Sequence, residues 1–205
     1  MLYDLIKPFI SNEHIHEFKR GDIIYHEGDT PKELYIIKEG LVGLFHINEA
    51  GKETFLRVFG KEYILGHRSF LAEEVYHASA IAISAVKMFS LSKEEFEGIC
   101  CHSKQISRTL MQILARDLGQ AELRLAGFKD KSAHSRIVEA LIYLKYRYPE
   151  HTWTRKEIAE YSGSTYETVT RVMTKLETEG LIEKAGRDYN ILNEQSLLDQ
   201  TIDFD

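Results

Sequence analysis

The sequence predicts an α+β protein in three parts: an N-terminal β-roll of the jelly-roll type, a long central helix and a C-terminal winged helix-turn-helix. Three observations carry that reading. Apolar residues between 12 and 90 alternate or cluster in short runs separated by glycines. From about 103 to 128 they change to a spacing of three and four. After 131, helix caps, a tight turn and a Gly-containing hairpin follow one another.

Composition agrees with a folded chain. Of 205 residues, 43% are hydrophobic and 28% charged, a globular balance that argues against a fibre or a disordered chain. No apolar run nears the roughly 18 to 20 residues that cross a bilayer, and the first eight residues lack a basic stretch followed by an apolar one. A cytoplasmic location is therefore expected, with no membrane partner. Cys100 and Cys101 are neighbours, which suits neither a disulfide framework nor a Cys-x-x-Cys metal knuckle, and they are expected as reduced, buried or half-buried thiols.

In the first part, the runs Ile23 to Tyr25, Leu34 to Ile37, Leu41 to Phe45, Thr54 to Phe59, Ala78 to Ile83 and Val86 to Leu91 read as strands, with turn glycines at 21, 28, 40, 51, 60 and 66. Ser92, followed by Glu94 and Glu95, caps a short helix over 93 to 100. In the second part, Met111, Leu114, Leu118, Ala121, Leu125 and Phe128 make a coiled-coil-like seam, while Ile106, Leu110 and Ile113 form an offset stripe. One face is expected to meet its copy in a second subunit and the other to lie on the roll. The competing possibility is that both belong to one monomer's core. Residues 127–131 break the pattern, which divides the chain into a β-roll domain 1–102, a central helix and hinge 103–130, and a winged helix-turn-helix domain 131–205.

In that third part Ser132 caps a helix stopped by Pro149. Thr154 with Glu157 makes a capping box for the next, which runs to Gly163. A helix over 165 to 178 buries Val169, Val172, Met173 and Leu176, and Gly180 closes it. The segments 181–184 and 189–192 then pair around Gly186 as a wing. The net charge of −6 advertises no general attraction to nucleic acid, but residues 131–190, with ten Lys and Arg against nine Asp and Glu, are the most basic block. In a helix-turn-helix the second helix offers its N-terminal residues to bases. Glu167 can accept from cytosine N4, Arg171 can grip guanine O6 and N7, and Thr170 offers a methyl to thymine. The plainer alternative is an exposed Glu167–Arg171 ion pair. Ser164, Thr165, Arg155, Lys156 and Arg187 are candidate phosphate contacts.

The segment Trp153-Thr154-Arg155-Lys156-Glu157 through Tyr166-Glu167-Thr168-Val169-Thr170-Arg171-Val172, with Gly180-Leu181-Ile182 beyond it, resembles the DNA-reading part of the CRP/FNR regulators. Gly21-Asp22, Gly28-Asp29 and Leu34 to Gly40 are similar to that family's cyclic-nucleotide-type β-roll. The resemblance spans nearly the whole chain. It implies a homodimeric transcription regulator that binds double-stranded DNA at a two-fold operator with half-sites close to TGA, that works with RNA polymerase and that answers to a small-molecule effector. It also implies base reading by Glu167 and Arg171, with Tyr166 standing where cyclic-AMP-type members carry Arg.

The same comparison places the effector pocket at Gly66, His67, Arg68 and Ser69, at His77 and Ala78, and at Leu118 on the central helix. Cyclic-AMP-binding members hold the ribose with Glu where His67 stands, and the cyclic phosphate with Arg and Ser where His77 and Ala78 stand. A neutral imidazole is a poor substitute for a permanent cation, so the pocket argues against cyclic AMP and for an unknown effector. The family's iron-sulfur version needs four cysteines, and two argue against that cluster. His67 and His77 leave a haem or metal redox sensor as one alternative, and a C-terminal domain that binds protein is another. No phosphate-binding Gly-rich loop, nucleophile elbow or His-Glu-x-x-His helix is present, so no enzymatic activity is expected.

Overall fold

The computed structural model describes residues 2–9, 14–49, 51 and 53–201. Its contacts divide the chain into two compact units, Met1–His46 with Leu56–Ala121 and Ile47–Phe55 with Glu122–Asp205. The first unit begins with a short helix α1 (Leu2–Ile6) and a 3-10 turn (Lys7–Phe9). Eight strands follow: β1 (His14–Phe18), β2 (Ile23–Tyr25), β3 (Glu33–Glu39), β4 (Val42–Ile47), β5 (Glu53–Phe59), β6 (Ile64–Leu65), β7 (Ser79–Ala82) and β8 (Val86–Ser92). They form two four-stranded sheets, ordered β1-β8-β3-β6 and β2-β7-β4-β5.

The central strands of the first sheet, β3 and β8, are covered on both faces, and their period of two sorts side chains between two cores. Val86 and Met88 of β8 and Ile37 of β3 face the roll interior, where they join Tyr25, Val42, Leu44, Phe59, Leu65 and Ala80. Phe89 and Leu91 of β8 and Leu34 and Ile36 of β3 point the other way. There they meet Ile6, Phe70, Phe96, Ile99, Ile106 and Leu110 from a layer of helices.

That layer contains α2 (His67–Ala72), α3 (Lys93–His102) and α4 (Lys104–Asp130). α2 lies inside the stretch the sequence presents as strands and turns; Gly66 starts it in the left-handed region, with φ of 79°. α3 carries the expected cap, with Ser92 Oγ accepting from Glu95 N and the Glu95 carboxylate accepting from Ser92 N. Cys100 packs partly against the helical core, whereas Cys101 is exposed. The expectation of two buried or half-buried thiols holds only for the first, because consecutive helix residues point about 100° apart. α4 runs through Gly127 to Asp130 rather than stopping at the glycine, and Lys131 N closes it on Gly127 O.

The second unit is built on α5 (Ala133–Arg147), α6 (Arg155–Ser162), α7 (Tyr166–Thr178), the hairpin β9 (Ile182–Ala185) and β10 (Asp188–Ile191), and α8 (Glu194–Asp199). Ile137, Val138, Leu141, Leu144, Trp153, Ile158, Val169, Met173, Leu176 and Leu197 are buried in it. Among the described residues no helix is long and apolar enough to cross a membrane.

The turn between β3 and β4 has the tightest backbone requirement. Gly40 has φ of +89°, and a Cβ there would lie 2.1 Å from Ala85 O. Gly40→Ala is therefore expected to cost about 2 kcal/mol or more. Gly98→Ala, in open space within α3, is expected to gain about 0.5 to 1 kcal/mol. Denaturant melts of the two variants beside the parent check both signs.

Candidate nucleic-acid interface and sensor segment

Local capping builds the helix pair that carries the candidate reading face. Thr154 Oγ1 accepts from Glu157 N at 3.3 Å, and Glu157 Oε2 accepts from Thr154 N at 2.9 Å, which satisfies two donors that α6 would otherwise leave open. Burial alone would raise the Glu157 pKa; hydrogen bonds from His151 and from the Thr154 backbone and hydroxyl bring it below its ordinary value. Gly163 ends α6 at φ of 66°, and a Cβ on it would come within 2.6 Å of the Phe128 ring. Thr165 caps α7, its Oγ1 accepting from Thr168 N.

The result is a helix α7 buried along Val169, Val172, Met173 and Leu176, with Tyr166, Glu167 and Arg171 exposed. Among the described residues Glu167 and Arg171 make no ion pair with each other, so the plainer alternative is not formed. Thr170 is partly exposed, but its Oγ1 is buried without a partner. What it offers outward is carbon, the surface suited to a thymine methyl.

The phosphate candidates divide into two groups. Thr165, Lys156 and Arg187 are exposed, Lys156 pairing loosely with Glu160 and Arg187 lying in the β9–β10 turn. Ser164 is instead buried, with Oγ unpartnered, so its side chain is not on the surface the sequence assigned it to. Arg155 donates from Nε to Tyr189 Oη at 2.6 Å and lies over that ring, which ties the start of α6 to the wing.

In the first unit, the sensor segment departs from expectation in a specific way. His67 is buried; Nδ1 is 3.1 Å from Ile64 O and Nε2 is 3.3 Å from Asp117 Oδ2. Since a carbonyl only accepts, Nδ1 is the donor there, and Nε2 donates to Asp117 only when the ring carries a proton on both nitrogens. Arg68 is exposed and paired with Glu74 at 2.9 Å. Ser69 is buried with Oγ unpartnered, and Ala78 is buried. His77 is exposed at its rim, yet burial of part of the ring, with the Arg68 charge, lowers its pKa below 6.5. The ring of Tyr76 lies over Gly66, 3.0 Å from where a Cβ would sit, and stacks on Tyr25 at 3.7 Å between centroids. Phe70 points away, into the helical core against Phe96.

The α4 residue that reaches this segment is Asp117. Leu118, assigned to the pocket from the sequence, is 62% exposed. Asp117 Oδ1 accepts from Tyr63 Oη at 2.5 Å and from Arg57 at 2.8 Å, while Oδ2 lies 2.8 Å from Arg57 and faces His67. Burial would raise its pKa, but hydrogen bonds from His67, Arg57 and Tyr63 and the Arg57 charge hold it at about 2. The sequence did carry a signal for it. Ile106, Leu110 and Ile113 continue by spacing to 117, so a carboxylate stands where the buried stripe calls for an apolar residue.

Along α4 the two stripes part as expected. Ile106 and Leu110 are buried and Ile113 packs beside them. Met111, Leu118, Ala121 and Leu125 are exposed, and Leu114 is half-buried. Phe128, the last residue of the seam spacing, lies against Gly163, whereas Met111, Leu118, Ala121 and Leu125 lie outside the core formed by the described residues.

Comparison with known proteins follows the same division. Residues 15–103 match the family model of the cyclic nucleotide-binding domain, and residues 135–200 that of the Crp-like helix-turn-helix domain. The chain is 29% identical over 185 residues to the cyclic AMP receptor protein of Thermus thermophilus, covering 89% of this chain and 85% of that one. It is 26% identical over 184 residues to the transcriptional activator protein FnrA of Stutzerimonas stutzeri, covering 85% and 75%. The solved structure of FixK2 from Bradyrhizobium japonicum superposes with a TM-score of 0.82 at 20% identity, over 95% of this chain and all of that one.

Proposed function

The chain belongs to the CRP/FNR family of transcription regulators, and from that premise we propose that it binds a two-fold symmetric operator as a homodimer in the cytoplasm, alongside RNA polymerase. The observation that carries the proposal is the outward start of α7, where Glu167 and Arg171 stand exposed, with no ion pair among the described residues, on a capped, well-packed helix. Together they read a G·C pair in each half-site, Thr170 lends carbon to a thymine, and Tyr166 sets the outer base. Thr165, Lys156 and Arg187 hold phosphates, while Arg155 positions the wing through Tyr189. The exposed seam of α4 joins the two copies, which brings the reading helices about 34 to 36 Å apart, one turn of DNA.

Cyclic AMP is not a ligand in this proposal. The position that needs a permanent cation carries His77, whose lowered pKa leaves it neutral at pH 7. Ala78 offers no hydroxyl, and stacked Tyr25 and Tyr76 fill the interior beside Gly66. A buried phosphate without a fixed cation keeps an uncompensated desolvation cost of several kcal/mol.

Three outcomes are expected. Selection from random DNA returns a two-fold repeat with a half-site close to TGA, and Arg171→Ala costs about 1 to 3 kcal/mol at its G·C pair and relaxes specificity there. An equal loss on every sequence would refute base reading. Leu118→Glu, which sets like charges face to face in the seam, yields a monomer by sedimentation that no longer binds the operator. A monomer retaining full affinity sinks the seam assignment. Calorimetry finds no cyclic AMP binding tighter than about 1 mM, equivalent to about 4 kcal/mol. Micromolar binding that disappears in Arg68→Ala would show that Arg68 supplies the missing cation.

A further inference from the structure

We propose that the roll carries a carboxylate-binding site built by Arg57, Tyr63 and His67, and that its resident ligand is the chain's own Asp117. The three donors come from separate places, β5, the loop before β6 and the start of α2, and converge on one carboxylate from α4. Both oxygens are used. Oδ1 takes the Tyr63 hydroxyl at 2.5 Å and one arm of the Arg57 guanidinium at 2.8 Å; Oδ2 takes the other arm at 2.8 Å and faces His67 Nε2 at 3.3 Å. This two-oxygen engagement of a guanidinium is the geometry that recognises carboxylates. Arg57 also reaches Gln120 Oε1 at 2.7 Å, one turn further along the same helix. His67 is itself fixed, because Nδ1 donates to Ile64 O.

The three donors lie within residues 15–103, the part that matches the cyclic nucleotide-binding domain, and the group filling the site belongs to α4, the element that carries the seam. Asp117 and Leu118 are consecutive, so capture of the carboxylate sets the rotation of α4 that turns Leu118 outward. A ligand tethered to the same fold is present at an effective concentration of millimolar or more, which a dilute external anion does not match. The internal carboxylate therefore takes the place of an effector, and the seam is presented without one. The consequence for operator binding rests on the DNA-binding reading above; the site itself does not.

The test uses the full chain with Asp117→Ala, Arg57→Met and the double variant. Thermal unfolding is followed with sodium acetate or sodium chloride at equal ionic strength, and operator affinity by fluorescence anisotropy on the selected duplex. Asp117→Ala is expected to weaken operator binding about tenfold or more, and acetate at about 50 mM should raise its unfolding midpoint and recover affinity. The wild type and the double variant should not respond. Arg57→Met, which keeps the carboxylate but loses its main partner, should weaken operator binding to a similar degree, and combining the two changes should add little to either. That non-additivity decides the matter even where Asp117→Ala is too unstable to study. Acetate acting equally on single and double variants, full additivity, or an Asp117→Ala protein that binds like the wild type would each overturn the proposal. A wild type that binds no duplex refutes the DNA-binding reading instead, and the acetate shift in the unfolding midpoint still decides whether the site exists.

Discussion

A helix with two apolar stripes has to be fixed in rotation about its own axis, and burial alone fixes that poorly because hydrophobic contact has no direction. The Asp117–Arg57 pair supplies the missing direction in α4. A guanidinium fork meets a carboxylate in one plane and at one separation, and Tyr63 and His67 fix the remaining lone pairs. With Asp117 turned toward β5 and α2, the buried side of the helix must carry Ile106, Leu110 and Ile113. The exposed side must then carry Met111, Leu118 and Leu125. A part-buried pair of this kind typically costs about 3 to 5 kcal/mol to break by removing one partner; with Arg57 24% exposed, that range is an upper bound here.

The second unit meets the same need by local means. Side-chain oxygens of Thr154, Glu157 and Thr165 satisfy backbone donors at the starts of α6 and α7. Gly163 supplies the left-handed turn between them while the Phe128 ring lies against it, so that position rejects a side chain on conformation and on space alike. Arg155 is drawn to Tyr189 and Lys145 to Asp188, which anchors the wing to α6 and α5. These polar groups are used internally, whereas Glu167 and Arg171 make no ion pair among the described residues on the outer side of α7. Such a division leaves that surface open to a partner, because a contact already made within the protein would have to be broken first.

What the sequence disclosed follows from the range of the forces involved. Strand periodicity, capping boxes, turn glycines and the helix-turn-helix are local, and the strands at 23–25 and 34–37 and the helices begun at Ser92, Thr154 and Thr165 were legible for that reason, the first of these helices running two residues past the expected 93 to 100. α2 was not, because six residues are too few for a helical period to stand out and its start depends on Gly66 adopting φ of 79° beneath Tyr76. Ser164 was misplaced because a serine between two helices looks like surface until the packing of both is known. The Asp117 cluster is hardest to see, since its members are separated by 54 and 60 residues along the chain. Only the register of the buried stripe, with a carboxylate in an apolar slot, pointed to it.

The electrostatics of that carboxylate decide how the arrangement behaves. Taking Asp117 out of water favours its neutral form, and an isolated buried carboxyl would have its pKa raised. Three donors outweigh that, so the group ionises at about 2 in the folded chain against 3.8 unfolded. A depressed carboxyl pKa contributes stability that is complete above the unfolded value and is lost as pH falls through the folded one. The Asp117 carboxylate thus stays charged over the whole neutral range, and its own ionisation supplies no off position there. A latch of this kind opens only through competition for its donors or movement of the helix.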